Sequence, residues 1–87
     1  MDIFSKRLKE LRIEKKLTQK QLAIIIETTD DSIYSWEKGR SQPSIETIRK
    51  LCSVLDTTSD YLIGIESDDG TKYSQTYFGN NITVNNK

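Results

Sequence analysis

Hydroxyl residues spaced along the first two thirds of this chain, each opening an amphipathic stretch, constrain its fold more than any other feature. Thr18, Thr29, Ser44 and Ser59 each precede residues with helical character. Each can accept a hydrogen bond from a backbone N–H that a helix start leaves without a partner. Thr18 with Gln21 three residues on makes a capping box, in which the glutamine side chain returns a bond to the cap residue. Gly39 and Gly64 supply stop signals, and Pro43 disfavours helix immediately before it.

This punctuation predicts five short helices. The first, about 3–15, turns Phe4, Leu8 and Leu11 inward and leaves Lys6, Arg7, Lys9, Glu10 and Glu14 on the other faces. The second, about 19–26, buries Leu22, Ala23 and Ile26, and the third, about 30–38, buries Ile33 and Trp36. The fourth, about 45–55, runs through Ile45, Ile48, Leu51, Cys52 and Leu55, and a short fifth over 60–63 follows Ser59 as its cap. Helices this short are marginal alone and must share a core, so the fold class is all-α, one five-helix domain over residues 1–65.

After Gly70 the composition changes to Thr, Tyr, Asn and Ile without a helical period. Residues 72–78 and 82–85 are rich in β-formers, and Gly79-Asn80-Asn81 between them tolerates the positive φ of a tight turn. A short C-terminal β-hairpin tail over 66–87 is the expectation. An isolated hairpin is marginal in water, so the tail is expected to pair with a second copy through Tyr73, Tyr77, Phe78, Ile82 and Val84, giving a homodimer.

Composition narrows the function. The net charge is zero, but residues 1–50 hold eleven Lys/Arg against eight Asp/Glu, whereas residues 51–69 hold five acidic residues and no basic one. Only the first part offers phosphates a favourable face. The single cysteine, Cys52, has no partner for a disulfide and reads as a buried structural thiol; without histidine the chain has neither a zinc set nor the usual acid–base catalyst near neutral pH. No phosphate-binding glycine loop or nucleophile elbow is present either. The expectation is a non-enzyme with no cofactor, metal or small-molecule ligand. No apolar run is long enough to span a membrane and no signal-like start is visible, so a cytoplasmic location is expected.

Taken in order, Leu17-Thr18-Gln19-Lys20-Gln21-Leu22-Ala23, Thr29-Asp30-Asp31-Ser32-Ile33, Trp36-Glu37-Lys38-Gly39-Arg40 and Pro43-Ser44-Ile45-Glu46-Thr47-Ile48 resemble the phage-repressor and Cro (XRE-type) helix-turn-helix family. The resemblance covers about residues 4–64. It implies a lambda-repressor-like domain whose third helix, about 30–38, enters the major groove of a double-stranded DNA operator, usually as a dimer on a palindrome. Gln19 then resembles the family's phosphate-contacting glutamine at a helix N-terminus. Its alternative is an ordinary first-turn residue.

With Ile33 and Trp36 facing the core, Thr29, Asp30, Asp31, Ser32, Tyr34, Ser35 and Lys38 are left as the DNA-binding candidates of the third helix, with Arg40 just beyond it. Ser32 and Ser35 can bond base edges or phosphates, Tyr34 can meet a thymine methyl or a sugar, and Lys38 with Arg40 can clamp the backbone. Asp30 and Asp31 stand where the family usually has Gln, Arg or Ser. They either accept a bond from cytosine N4 or stabilise the helix N-terminus by about 0.3–1 kcal/mol each.

Three more positions carry expectations from the resemblance. Glu27 replaces a glycine commonly held in a left-handed turn, at a cost of roughly 1 kcal/mol. Ile24 and Ile25 replace polar residues, which makes the second helix apolar on more than one face. Arg12 and Glu37 occupy positions able to form a partly buried ion pair between the first and third helices, the alternative being two solvated charges. Two functions compete: a transcriptional repressor of phage or mobile-element type, and a protein-interaction module such as an antirepressor or antitoxin subunit with weak or no DNA binding. The zero net charge and the two aspartates support the second.

Overall fold

The computed structural model describes residues 2–65, all helices and connections: α1 (Ile3–Glu14), α2 (Gln19–Ile25), α3 (Asp30–Glu37), α4 (Ile45–Leu55) and α5 (Ser59–Leu62). The expected β-hairpin and its dimerisation residues Tyr73, Tyr77, Phe78, Ile82 and Val84 lie outside the described residues.

Each helix starts on a side chain that accepts a backbone N–H. Asp2 caps α1 through Ser5 N at 2.8 Å, and this bond holds the Asp2 carboxyl below its ordinary pKa. Thr18 accepts from Gln21 N at 3.0 Å while the Gln21 side chain accepts from Thr18 N at 2.9 Å, completing the capping box. Thr29 caps α3 and Ser44 caps α4. The fifth helix departs from expectation by one residue. Thr58, not Ser59, has the extended backbone of a cap and accepts from Tyr61 N at 3.1 Å. Two adjacent hydroxyl residues offer the same cap chemistry, and packing selects between them.

The core is Leu8, Leu22, Ile33, Leu51, Leu55 and Leu62, all but inaccessible, with Phe4, Ala23, Ile26 and Trp36 around them. Every helix contributes at least one of these residues, so no helix can be removed without opening the centre. Leu11, Leu17 and the half-buried Cys52 pack against its edge, where burial pushes the thiol pKa up.

Two expected placements are corrected. Ile45 is 77% exposed, because it occupies the first turn of α4, before that helix comes over the core. Arg7 lies within the protein instead of on a solvated face. Its guanidinium stacks 4.0 Å from the Tyr61 ring centroid and donates to the Tyr61 carbonyl, fastening α1 to α5. Helical period alone places Arg7 beside Leu8, and only α5 explains why that side is covered.

Non-glycine residues in the left-handed region end three helices: Lys16 after α1, Glu27 after α2 and Asp56 after α4. Glu27, at φ 65°, keeps the turn that a glycine would make more easily, and its carboxylate meets Lys50 Nζ at 3.2 Å on the surface. An exposed pair of this kind contributes only about 0–1 kcal/mol. Glu27→Gly is therefore expected to leave stability unchanged or raise it by up to about 1 kcal/mol in urea unfolding. A loss above 1 kcal/mol would show that the Lys50 contact outweighs the backbone strain.

Candidate nucleic-acid interface

The inner face of α3 buries Ile33, Trp36 and Glu37, so the remaining side chains turn outward. Asp30, Asp31, Tyr34 and Lys38 are exposed, Ser32 and Ser35 are half-buried, and Arg40 lies exposed just beyond the helix. The acidic residues sit in the first turn, where the helix end is positive, and the cations sit at the C-cap, Lys38, and beyond it, where it is negative.

Thr29 is tied up in capping: its hydroxyl oxygen accepts from Ser32 N at 3.1 Å, and its own proton goes to Ser32 Oγ at 3.0 Å. At the other end Ser35 Oγ and Ser41 Oγ are 2.7 Å apart. Ser41 was not among the sequence candidates, since the loop following Gly39 has no period from which to place it. Gly39 suits the turn because it holds φ 75°, a conformation that L side chains adopt only with strain.

Behind this face lies an ionic brace. Arg12 Nε donates to Glu37 Oε2 at 2.6 Å and Nη2 to Oε1 at 3.1 Å, a two-pronged pair whose side chains are 11% and 3% exposed. Arg12 Nη1 also donates to the Leu17 carbonyl at 2.8 Å. Gln19, half-buried at the start of α2, donates from Nε2 to Glu37 Oε1 at 3.1 Å. One carboxylate thus joins α1, α2 and α3. The ion pair was legible from the resemblance; the Gln19 contact was not, because it depends on how α2 crosses α3. One level higher, Ser5 Oγ donates to the Trp36 carbonyl at 2.6 Å, fixing α1 to the end of α3 a second time.

Helix, tight left-handed turn and helix, with the outer face of the second helix free, is a helix-turn-helix arrangement. The helix-turn-helix family HTH_3 matches residues 8–62, well over half of the chain. The chain belongs to that family. The likeness to phage-repressor and Cro proteins carried by the four sequence motifs is borne out.

Among relatives of this helix-turn-helix chain, the uncharacterised transcriptional regulator YqaE of Bacillus subtilis is 34% identical over 67 residues, 77% of this chain and 58% of that one. The 26 kDa repressor protein of Escherichia phage HK022 is 40% identical over 52 residues, 60% of this chain and 22% of that one. The chain thus spans less than two thirds of either. The P22 c2 repressor, crystallised with a synthetic operator, matches at TM-score 0.70 and 23% identity over 74% of this chain and 97% of that one, which shows the fold. The biofilm master regulator SinR, crystallised with DNA, matches at TM-score 0.65 and 28% identity over 69% and 97%.

The geometry of the brace predicts the cost of breaking it. Arg12→Met or Glu37→Leu leaves an unpaired buried charge and is expected to cost about 3–5 kcal/mol, while the double replacement recovers most of that loss. Urea unfolding of the three variants checks this; single losses below 1 kcal/mol would be those of solvated charges.

Proposed function

We propose that this helix-turn-helix chain is a sequence-specific transcriptional repressor of phage or mobile-element type, with α3 as the recognition helix in the major groove of an operator. The observation that carries this reading is the division of α3 into a locked inner face and an outer face of polar, aromatic and cationic side chains. The repressor names among the relatives, and the DNA in the complexes of similar fold, support it.

In this reading Ser35 and Asp31 read base edges, with Asp31 accepting from a cytosine amino group, and Asp30, Ser32 and Thr29 line the same end of the helix. Gln19, Lys38 and Arg40 hold phosphates. Gln19 suits that role because Glu37 accepts one amide hydrogen and leaves the other for a phosphate. The protein acts as a homodimer on half-sites about one helical turn, roughly 34 Å, apart.

A second reading, a protein-interaction module, is favoured by one observation. Ile24 and Ile25 on the outer side of α2 are 67% and 51% exposed, beside an α3 that opens with two exposed carboxylates. Salt separates the two readings. A repressor loses DNA affinity steeply with salt, each neutralised phosphate adding about 0.9 to the slope of log K against log salt, whereas an interaction module shows little or no dependence.

Selection of bound duplexes from a random pool is expected to return a palindrome. On it, Gln19→Ala and Lys38→Ala should weaken binding to all sequence variants alike, while Ser35→Ala or Asp31→Ala should change the preferred base at one position. Uniform losses from all four substitutions would rule out base reading by Ser35 and Asp31.

Self-association through the tail, residues 66–87, belongs to the same proposal and is supported by the β-type sequence pattern around Tyr73, Tyr77, Phe78, Ile82 and Val84. Truncation after Ile65 is expected to leave a folded helical domain with a weaker monomer–dimer constant and weaker operator binding. Sedimentation equilibrium on both lengths measures it, and an unchanged constant would move the dimer contact to the helical domain.

A further inference from the structure

Tyr34 is the exposed aromatic on the outer face of α3, and as such it invites the role of base reader. Its ring is already engaged. Lys38 Nζ stands 5.5 Å from the ring centroid and Arg40 Cζ stands 5.6 Å from it, both within the range at which a cation is drawn to the negative face of an aromatic.

The local chain explains why both cations reach one ring. Lys38 lies one helical turn beyond Tyr34. Arg40 would normally point away from the helix axis, but Gly39 turns the chain at φ 75° and Arg40 N then donates to the Ser35 carbonyl at 2.9 Å. This folds the start of the loop back over the last turn of α3. The contact between Ser35 Oγ and Ser41 Oγ, 2.7 Å, fastens the next residue. Backbone and hydroxyls set the loop, and the ring collects the two side chains that leave it. Among the described residues neither cation is in an ion pair.

We propose that Tyr34 is a positioning residue that gathers Lys38 and Arg40 into one phosphate grip at the C-terminal end of α3, and that it does not read a base. The inference rests on the reading that the protein binds duplex DNA. Two long cationic side chains free in water lose much rotamer freedom when they close on a phosphate; stacked on a ring, they have lost part of it beforehand. Two like charges held around one ring also repel each other, and an anion between them relieves that repulsion. The grip stands at the end of α3 where the helix dipole is negative and an approaching phosphate would otherwise be repelled.

Two measurements on the full chain test the assignment. In the DNA-free protein, the Lys38 ε-methylene and Arg40 δ-methylene proton resonances are expected to be shifted upfield by the ring, to stay so in Tyr34→Phe and to lose the shift in Tyr34→Leu. On the selected duplex, Tyr34→Leu is expected to weaken binding about five- to tenfold, by the same factor on every single-base variant and on unrelated DNA, with Tyr34→Phe within about twofold of the unaltered protein. Because both cations remain, Tyr34→Leu keeps the salt slope, whereas Lys38→Ala lowers it by about 0.9. A loss confined to variants at one base pair would make Tyr34 a reader and overturn the grip, as would the absence of the upfield shifts. Failure of the unaltered protein to bind any duplex would overturn the DNA-binding reading itself, a result distinct from either.

Discussion

The two-pronged contact between Arg12 and Glu37 is the interaction on which the rest of the arrangement depends. It is short, nearly sealed from water, and anchored on both sides: the third guanidinium nitrogen is bound to the Leu17 carbonyl and one carboxylate oxygen also receives Gln19. A buried ion pair is poor evidence for stability, since an apolar pair of similar volume often does as well. What it provides here is orientation. The planar fork of arginine accepts a carboxylate in few geometries, so the end of α3 is fixed in rotation against α1, and α2 is drawn to the same carboxylate through its first residue.

A second constraint acts a few residues away. The start of α1 meets the end of α3, where Ser5 donates to the Trp36 carbonyl and Gly39 lies beside Ser5 and Asp2. The positive end of one helix thereby faces the negative end of another. Arg7, stacked on Tyr61, repeats the strategy between α1 and α5. The first helix is the frame to which α3 and α5 are each tied.

Much of the fold was legible because its signals are local. Caps depend on a hydroxyl or carboxylate and the three residues after it, and the four internal starts were placed to within one residue; the exception, Thr58 in place of Ser59, arises where two adjacent residues could serve. The outer face of α3 followed from the 3.6-residue period once Ile33 and Trp36 were assigned inward. What could not be read requires knowing how helices cross. Arg7 looks like a surface residue until α5 is laid over it, and Ile45 looks like core until α4 is seen to begin beyond it. The Gln19–Glu37 bond and the meeting of two cations on Tyr34 are likewise products of assembly. The left-handed turn at Glu27 was legible only through resemblance, since nothing local to a glutamate demands it.

The separation of the two faces of α3 bears on how such a domain diverges. Everything that aims the helix, namely Ile33, Trp36 and Glu37 with their partners on α1 and α2, lies on its inner side, and among the described residues the side chains of Asp30, Asp31, Tyr34 and Lys38 on the outer side make no hydrogen bond or ion pair with it. Substitutions on the outer side therefore start from a helix whose pose does not change, and surface replacements of this kind usually alter stability by no more than about 0.5 kcal/mol. A lineage of such proteins has mutational freedom on one side of a single helix and almost none on the other. New contacts can be tried one residue at a time without re-solving the fold.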